Sequence, residues 1–206
     1  MLYGRWTISY FDPAKKEAMV SHLTPQLDAI TKEVAGAVQA RVVQVADNRM
    51  VVHGIYENKA AADAASGRAT AVRESMADFV TETPIVRVGD LVWGVDPEGQ
   101  APGSPTPTAN YKTFRATDID STKYDALMAY MDGTKEQFRS ISGLLRLRIA
   151  RIAENRIVAA TIYDSKASSD AAQENAAAVI AGGSEFFTGN MVLLQGELLW
   201  SSQRHS

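Results

Sequence analysis

The sequence contains no cysteine, which excludes disulfide bonds and thiolate metal sites. Its three histidines have no metal-ligand spacing, and we predict no metal. Lysine and arginine together number 21 against 24 aspartates and glutamates, for a net charge of -3. Because nucleic acids and anionic membranes attract basic proteins, neither is expected as a partner. Apolar stretches fall far short of the roughly 20 residues that cross a bilayer, and no signal peptide is apparent. We therefore expect a soluble, cytoplasmic protein.

The sequence does contain an internal repeat. Residues 48–56 recur as residues 155–163, and the alignment continues without a gap to the end of each copy. Aromatic and glycine positions match as well as alanines do, which chance similarity between alanine-rich helices would not produce. We predict a first repeat over residues 1–94, a Pro/Gly-rich linker over residues 95–109 and a second repeat over residues 110–206.

Within each copy, the spacing of apolar residues changes from the period of a strand to that of a helix and back. The predicted order is β-α-β-β-α-β, the ferredoxin-like arrangement, in which both helices cover one face of an antiparallel sheet. Asp12-Pro13 is typical of a helix start. Pro25 in the first copy and Asp132-Gly133 in the second predict a break in the first helix of each. Asn58 and Ser165 are predicted to cap the second helices.

The hairpin between the second and third strands predicts which side chains share a face of the sheet. A turn at Asp47-Asn48 places Val42 opposite His53, facing the helices, and Arg41 opposite Gly54 on the other face. Tyr56, and from the first strand Arg5, Thr7 and Ser9, are assigned to the Arg41 face. Packing the two bare sheet faces against each other gives the predicted α+β barrel, with a pocket between the sheets.

The chain resembles the dimeric α+β-barrel superfamily, and within it the antibiotic-biosynthesis-monooxygenase-like proteins. The resemblance is carried by the two βαββαβ copies, the step from Tyr56 or Tyr163 into the second helix, and the final strands that end in Gly-Asp-Leu-Val-Trp and Gly-Glu-Leu-Leu-Trp. It implies a fused pseudo-dimer, with two such chains able to form a homodimer. Members include oxygenases of polycyclic phenols that need no cofactor, haem-degrading enzymes, and many proteins without an assigned activity.

Six residues, three at matching positions of each copy, are the candidates for ligand binding. Paired guanidiniums could hold a carboxylate, enolate or phenolate, tyrosines could donate to a substrate oxygen, and tryptophans could form a wall for a planar ligand. Each also has a purely structural interpretation, as an ion pair, a strand end or core packing. These residues are Arg41, Arg148, Tyr56, Tyr163, Trp93 and Trp200.

These residues are compatible with two functions from different classes. The first is a small-molecule binder or monooxygenase-like enzyme without a cofactor, whose ligand is a small aromatic or acidic organic compound and whose arginines stabilise an enolate or phenolate toward dioxygen. The alternative is a non-catalytic structural or interaction module, in which the arginines pair with internal carboxylates. Haem binding is a third, more distant hypothesis. No motif assigns a catalytic residue.

Overall fold

The computed structural model describes residues 1–96 and 109–204. The chain divides into two compact units, one of Met1–Asp90 with Leu198–Ser206 and the other of Leu91–Glu197. The last strand of each sequence repeat is therefore shared between the units. Most of the predicted linker lies outside the described residues, so the repeat boundaries stay a prediction.

The first copy has the predicted order of elements, with the second helix in two segments. Its elements are β1 (Tyr3–Tyr10), α1 (Lys16–Glu33), β2 (Ala37–Ala46), β3 (Arg49–Tyr56), α2 (Lys59–Ala64), α3 (Ser66–Ser75) and β4 (Ile85–Val95). A short 3-10 turn at Pro13–Lys15 precedes α1, and the Asp12 side chain accepts from the backbone N–H of Ala14 at 3.0 Å.

The second copy follows the same order. Its elements are β5 (Tyr111–Asp118), α4 (Tyr124–Gly133), α5 (Lys135–Arg139), β6 (Leu144–Ala153), β7 (Arg156–Tyr163), α6 (Lys166–Ala171), α7 (Gln173–Gly182) and β8 (Val192–Gln203). None of the helices in the described parts of the chain is both long and apolar enough to cross a membrane.

The predicted helix caps are confirmed. The Asn58 side chain accepts from the backbone N–H of Ala61 at 2.9 Å, and Ser165 accepts from that of Ser168 at 3.1 Å. Each cap satisfies a backbone donor that the first helical turn leaves without a partner.

The predicted break in the first helix is right in one copy and wrong in the other. In the second copy the helix divides at Thr134, directly after Gly133. In the first copy α1 runs without interruption through Pro25. Proline removes one N–H from the helix ladder. Here the buried side chains of Leu23 and Leu27 on either side of Pro25 hold the helix against the sheet.

Each unit contains a sheet of the expected antiparallel pairing. In the first unit β1 lies between β3 and β4, and β3 pairs with β2; in the second unit β5 lies between β7 and β8, and β7 pairs with β6. Along the whole chain the strand order is β1-β3-β2-β8-β5-β7-β6-β4, which closes into a barrel. This confirms the predicted α+β class and the barrel of antiparallel strands.

The predicted hairpin register is wrong by one residue for the pairs beyond the first one next to the turn. The turn at Asp47-Asn48 forms as expected, with Ala46 opposite Arg49, but a bulge between Gln44 and Ala46 then shifts β2 by one residue. Arg41 consequently lies opposite His53, and Val42 opposite Val52. A bulge places two residues of one strand against one of its partner, and every later residue of the partner changes face.

The shift reverses the predicted faces of β3 and β1. Val42 does face the helices, together with Val52 and Tyr56 from β3, because Ala37 pairs with Tyr56 on that face. His53 lies on the opposite face with Arg41. The β1 residues that pair with the helix-facing side of β3 are Arg5, Thr7 and Ser9.

Candidate functional site

The first unit contains a cavity of about 70 Å³ between its helices and its sheet. Helices α1 and α3 contribute apolar side chains, among them Met19, Leu23 and Val72, and Met76 adds another directly after α3. The sheet contributes polar groups from three neighbouring strands, β1, β3 and β2. These sheet residues are Arg5, Thr7, Ser9, Tyr56 and Gln39. An apolar enclosure with a few convergent polar groups is the usual composition of a small-molecule site.

Arg5 brings a positive charge to this cavity. Its Nη2 donates to Ser66 Oγ at 2.6 Å and to the Ala62 carbonyl at 3.4 Å, so helices α2 and α3 hold the guanidinium. Its Nε is buried without a hydrogen-bond partner. A buried donor left without an acceptor is costly, and a ligand oxygen would satisfy it.

Tyr56 lies beside Arg5 because of the glycine between them. Gly54 is directly opposite Arg5, and a Cβ at Gly54 would lie 3.3 Å from the Tyr56 hydroxyl. The ring of Tyr56 therefore lies over Gly54, the residue paired with Arg5. Burial raises the pKa of Tyr56, and the Arg5 charge acts in the opposite direction. The phenol thus keeps its proton at neutral pH and can donate it to a ligand oxygen.

The cavity as it stands is smaller than an aromatic ring requires. An engineered cavity of about 150 Å³ in another protein holds benzene, roughly twice the volume found here. Three methionines, Met19, Met50 and Met76, line the wall. Unbranched thioether side chains adapt to a ligand more readily than branched ones, so the cavity can widen without moving the sheet.

The second unit has a cavity of similar size, about 70 Å³, at the corresponding place. Its arginine, Arg115, donates through Nη2 to Gln173 Oε1 at 2.7 Å and through Nη1 to Thr113 Oγ1 at 3.3 Å. Burial raises the pKa of Tyr163, while the charge and hydrogen bond of Arg115 lower it. Hydrogen bonds within the protein therefore occupy the guanidinium of Arg115 to a greater extent than that of Arg5.

The structure separates the predicted arginine from the predicted tyrosine within each unit. Arg41 is 1% exposed and lies opposite His53, whose ring stacks on Trp6 at 4.9 Å. These three side chains occupy the face of the sheet that points away from the helices, whereas Tyr56 lines the cavity on the other face. The predicted pairing of Arg41 with Arg148 across the sheets stays a prediction.

Arg148 forms a buried ion pair. Its Nη2 donates to Asp96 Oδ1, which also accepts from Arg146 Nε at 2.9 Å, and its Nη1 donates to the Val95 carbonyl at 3.1 Å. Burial lowers the pKa of Arg146, and the neighbouring Arg148 charge lowers it further. This arrangement is the internal pairing that the structural alternative predicts for Arg148.

The two predicted tryptophans pack in the cores. Trp93 is buried in the second unit, where its indole N–H donates to Asp132 Oδ1 at 2.9 Å and its ring meets the Phe138 ring edge-on. Trp200 is half-buried against the core of the first unit. Neither residue lines the two cavities described above.

The cavity residues Arg5, Thr7 and Ser9 were assigned to the wrong face of the sheet, and Arg73 was not predicted at all. The bulge that brings β1 to the helix side leaves no mark in the turn sequence. One signal was available, because Val42-Val43 and Met50-Val51 are consecutive apolar pairs. Such runs indicate strands buried on both faces, and all four residues are at most 1% exposed.

No family sequence model matches the chain, and no curated protein matches it in sequence. Solved structures do match it. A candidate monooxygenase from Fusobacterium nucleatum is 9% identical with a TM-score of 0.76, over 98% of this chain and 94% of that one. An anthrone oxidase-like protein is 13% identical with a TM-score of 0.70, over 98% of this chain and 92% of that one.

A third structure is a ferredoxin-fold protein related to antibiotic-biosynthesis monooxygenases from Listeria monocytogenes. It is 6% identical with a TM-score of 0.54, over 97% of this chain and 96% of that one. The chain has the ferredoxin-like fold of these three structures. In each of these three comparisons the similarity spans nearly the whole length of both chains. At these identities the similarity establishes the fold, and function must be argued from the residues of the site.

Proposed function

We propose that this chain binds a small organic molecule with an oxygen atom on a largely apolar body, in the helix-side cavity of the first unit. The observation that carries the proposal is the buried Nε of Arg5, which has no internal acceptor. Arg73 also lines this cavity, and no carboxylate does. A carboxylate, phenolate or enolate oxygen therefore meets positive charge and a phenol donor without repulsion.

The catalytic form of the proposal is oxygenation without a cofactor. For a substrate that enters already ionised, as a phenolate or enolate, Arg5 and Tyr56 would stabilise the charge on its oxygen, and dioxygen, as the oxidant, would form a bond to its electron-rich carbon. The folds of a candidate monooxygenase and an anthrone oxidase-like protein support this choice of reaction by analogy. The predicted cytoplasmic location and homodimer stay predictions.

Calorimetric titration with benzoate tests the binding site. We expect Arg5→Met to weaken binding by about 10-fold to 100-fold, the range for losing a charged hydrogen bond. Ser66→Ala is the control, because it removes the internal bond of Arg5 and keeps the charge. Arg115→Met is the matched change in the second unit and should leave the affinity unchanged. Equal affinity in wild type and Arg5→Met would rule out this site.

Catalysis needs a separate measurement. Dioxygen consumption with a series of phenols should depend on Arg5 and fall in Tyr56→Phe, because that variant loses the donor and keeps the ring. If benzoate binds but no dioxygen is consumed with any phenol, the chain is a binding protein and the catalytic form of the proposal is wrong.

The structural-module alternative is favoured by a specific observation in the second unit. Arg148 and Arg146 share Asp96, and Arg115 is bonded to Gln173 and Thr113. If that module were the whole function, Arg5→Met would lower stability and no small acid or phenol would bind.

A further inference from the structure

The cavity of the second unit differs from that of the first in charge. In the ungapped repeat, Ile180 stands where the first copy has Arg73, and both residues line their cavities. The strand position of Arg5 is occupied by Thr113, which pairs with Thr161 as Arg5 pairs with Gly54. The second cavity has therefore lost both positive groups of the first.

The positive charge that remains in the second cavity already has internal partners. Both terminal nitrogens of Arg115 donate, one to Gln173 and the other to Thr113. An anionic ligand would have to displace these partners and lose their hydrogen bonds. Apart from Arg115, the polar groups in the lining are the hydroxyls of Thr117 and Thr161.

The rest of the second cavity is apolar and drawn from every layer of the unit. Leu127 and Met131 come from α4, Ile149 from β6, Ile157 from β7 and Val179 from α7. A cavity of this composition is dry, and it favours an uncharged apolar guest over water. Its volume, about 70 Å³, restricts that guest to a molecule smaller than benzene unless the wall moves.

We infer that the second unit is a separate binding site for a small, uncharged, apolar molecule, and that it excludes the anionic or phenolic ligands proposed for the first unit. The duplicated halves would then bind two chemically different partners instead of two copies of one ligand. The site in the second unit is inferred from the lining and hydrogen bonds of that unit, whereas the contrast between the two halves rests on the proposed function.

Methionine methyl groups report on the two cavities separately. Met19, Met50 and Met76 line the first cavity, and Met131 and Met191 line the second. In the full-length protein with 13C-labelled methionine methyls, xenon is the uncharged probe and benzoate the anionic one. We expect xenon to shift the signals of Met131 and Met191 in a saturable way, and benzoate to leave those two signals in place.

A matched pair of variants locates the xenon. Ala176 on α7 and Ala69 on α3 are equivalent positions, and each lines its own cavity. Ala176→Leu fills the second cavity and should abolish the xenon shifts of Met131 and Met191. Ala69→Leu fills the first cavity and should leave them as in wild type.

Three results would overturn the inference. The first is no xenon shift at Met131 and Met191, and the second is a benzoate shift there as large as that of xenon. Survival of the xenon shifts in Ala176→Leu would place the xenon elsewhere and would also overturn it. Failure of the proposed function would appear at other methyl groups, because benzoate would then shift none of the signals of Met19, Met50 and Met76.

Discussion

Arg148 and Arg146 both donate to one carboxylate oxygen of Asp96. All three side chains are largely buried. The cluster lies where β4 ends, and it holds Asp96 directly after the last residue of that strand. Arg148, a candidate ligand residue in the sequence, therefore pairs with an internal carboxylate at the end of a strand.

Asp96→Asn should destabilise the protein by about 3 kcal/mol, near the lower end of the cost of breaking a buried ion pair. The substitution keeps the size of the side chain and leaves two buried guanidiniums facing each other. Urea unfolding gives the free energy. Glu185→Gln, which breaks the exposed ion pair with Lys123, is the control and should cost far less. Equal effects of the two changes would mean that the buried cluster contributes no special stability.

Gly94→Ala should also destabilise, for a steric reason. A Cβ at Gly94 would lie 2.7 Å from the Arg148 side chain and 2.8 Å from the Leu147 carbonyl oxygen. Because that oxygen belongs to the backbone of β6, the strands must separate, at a cost of about 1–3 kcal/mol. Gly67→Ala is the control, since nothing lies within 4 Å of the added Cβ in α3.

At Gly67, which is exposed on α3, alanine should instead raise the free energy of unfolding by about 0.5–1 kcal/mol. Thermal unfolding of both variants would show opposite shifts of Tm. Shifts of the same sign would contradict the close approach of Gly94 to Arg148.

Arg41→Ala should lower stability and leave benzoate binding in the first unit unchanged. The side chain is buried on the face of the sheet opposite the cavity, and large-to-small changes in a core cost about 2–5 kcal/mol. Urea unfolding and calorimetry on the same preparation measure both quantities. A lost affinity with stability retained would instead support the sequence-based site, with Arg41 as the ligand-binding arginine.

Stability should fall above about pH 10, partly because of Tyr56 and Tyr163. Burial raises the pKa of both phenols, so the folded state holds these protons more tightly than the unfolded chain does. Their contribution is complete at neutral pH and is lost as the pH rises through the phenol range. Unfolding free energies at pH 8 and pH 11 should differ less in the Tyr56→Phe, Tyr163→Phe double variant than in wild type. An unchanged difference would show that neither phenol is shifted.

The sequence was sufficient to predict the fold because its signals are local and occur in both copies. Asn58 and Ser165 cap helices wherever those helices pack, and the Asp47-Asn48 turn forms regardless of the strands beyond it. Tyr56 was predicted as a ligand residue, but the face on which it lies was not, because that face depends on one extra residue in β2. The bulge between Gln44 and Ala46 moves His53 away from the helices and Tyr56 toward them.

The face of the sheet on which Arg5 lies was also predicted wrongly, for a second reason. The alternation of polar and apolar residues in β1 suggested that its polar side faced away from the helices. The structure buries Trp6 on the face of His53 and directs Arg5 into the cavity. When both faces of a strand are buried, alternation no longer identifies which face meets the helices.

A crystal structure of the full chain with benzoate bound tests the helix-side binding site most directly. We expect the carboxylate within hydrogen-bond distance of Arg5 Nε and the Tyr56 hydroxyl, with the ring between α1 and the sheet against Met19 and Met50. A benzoate on the opposite face of the sheet, beside Arg41 and His53, would contradict it.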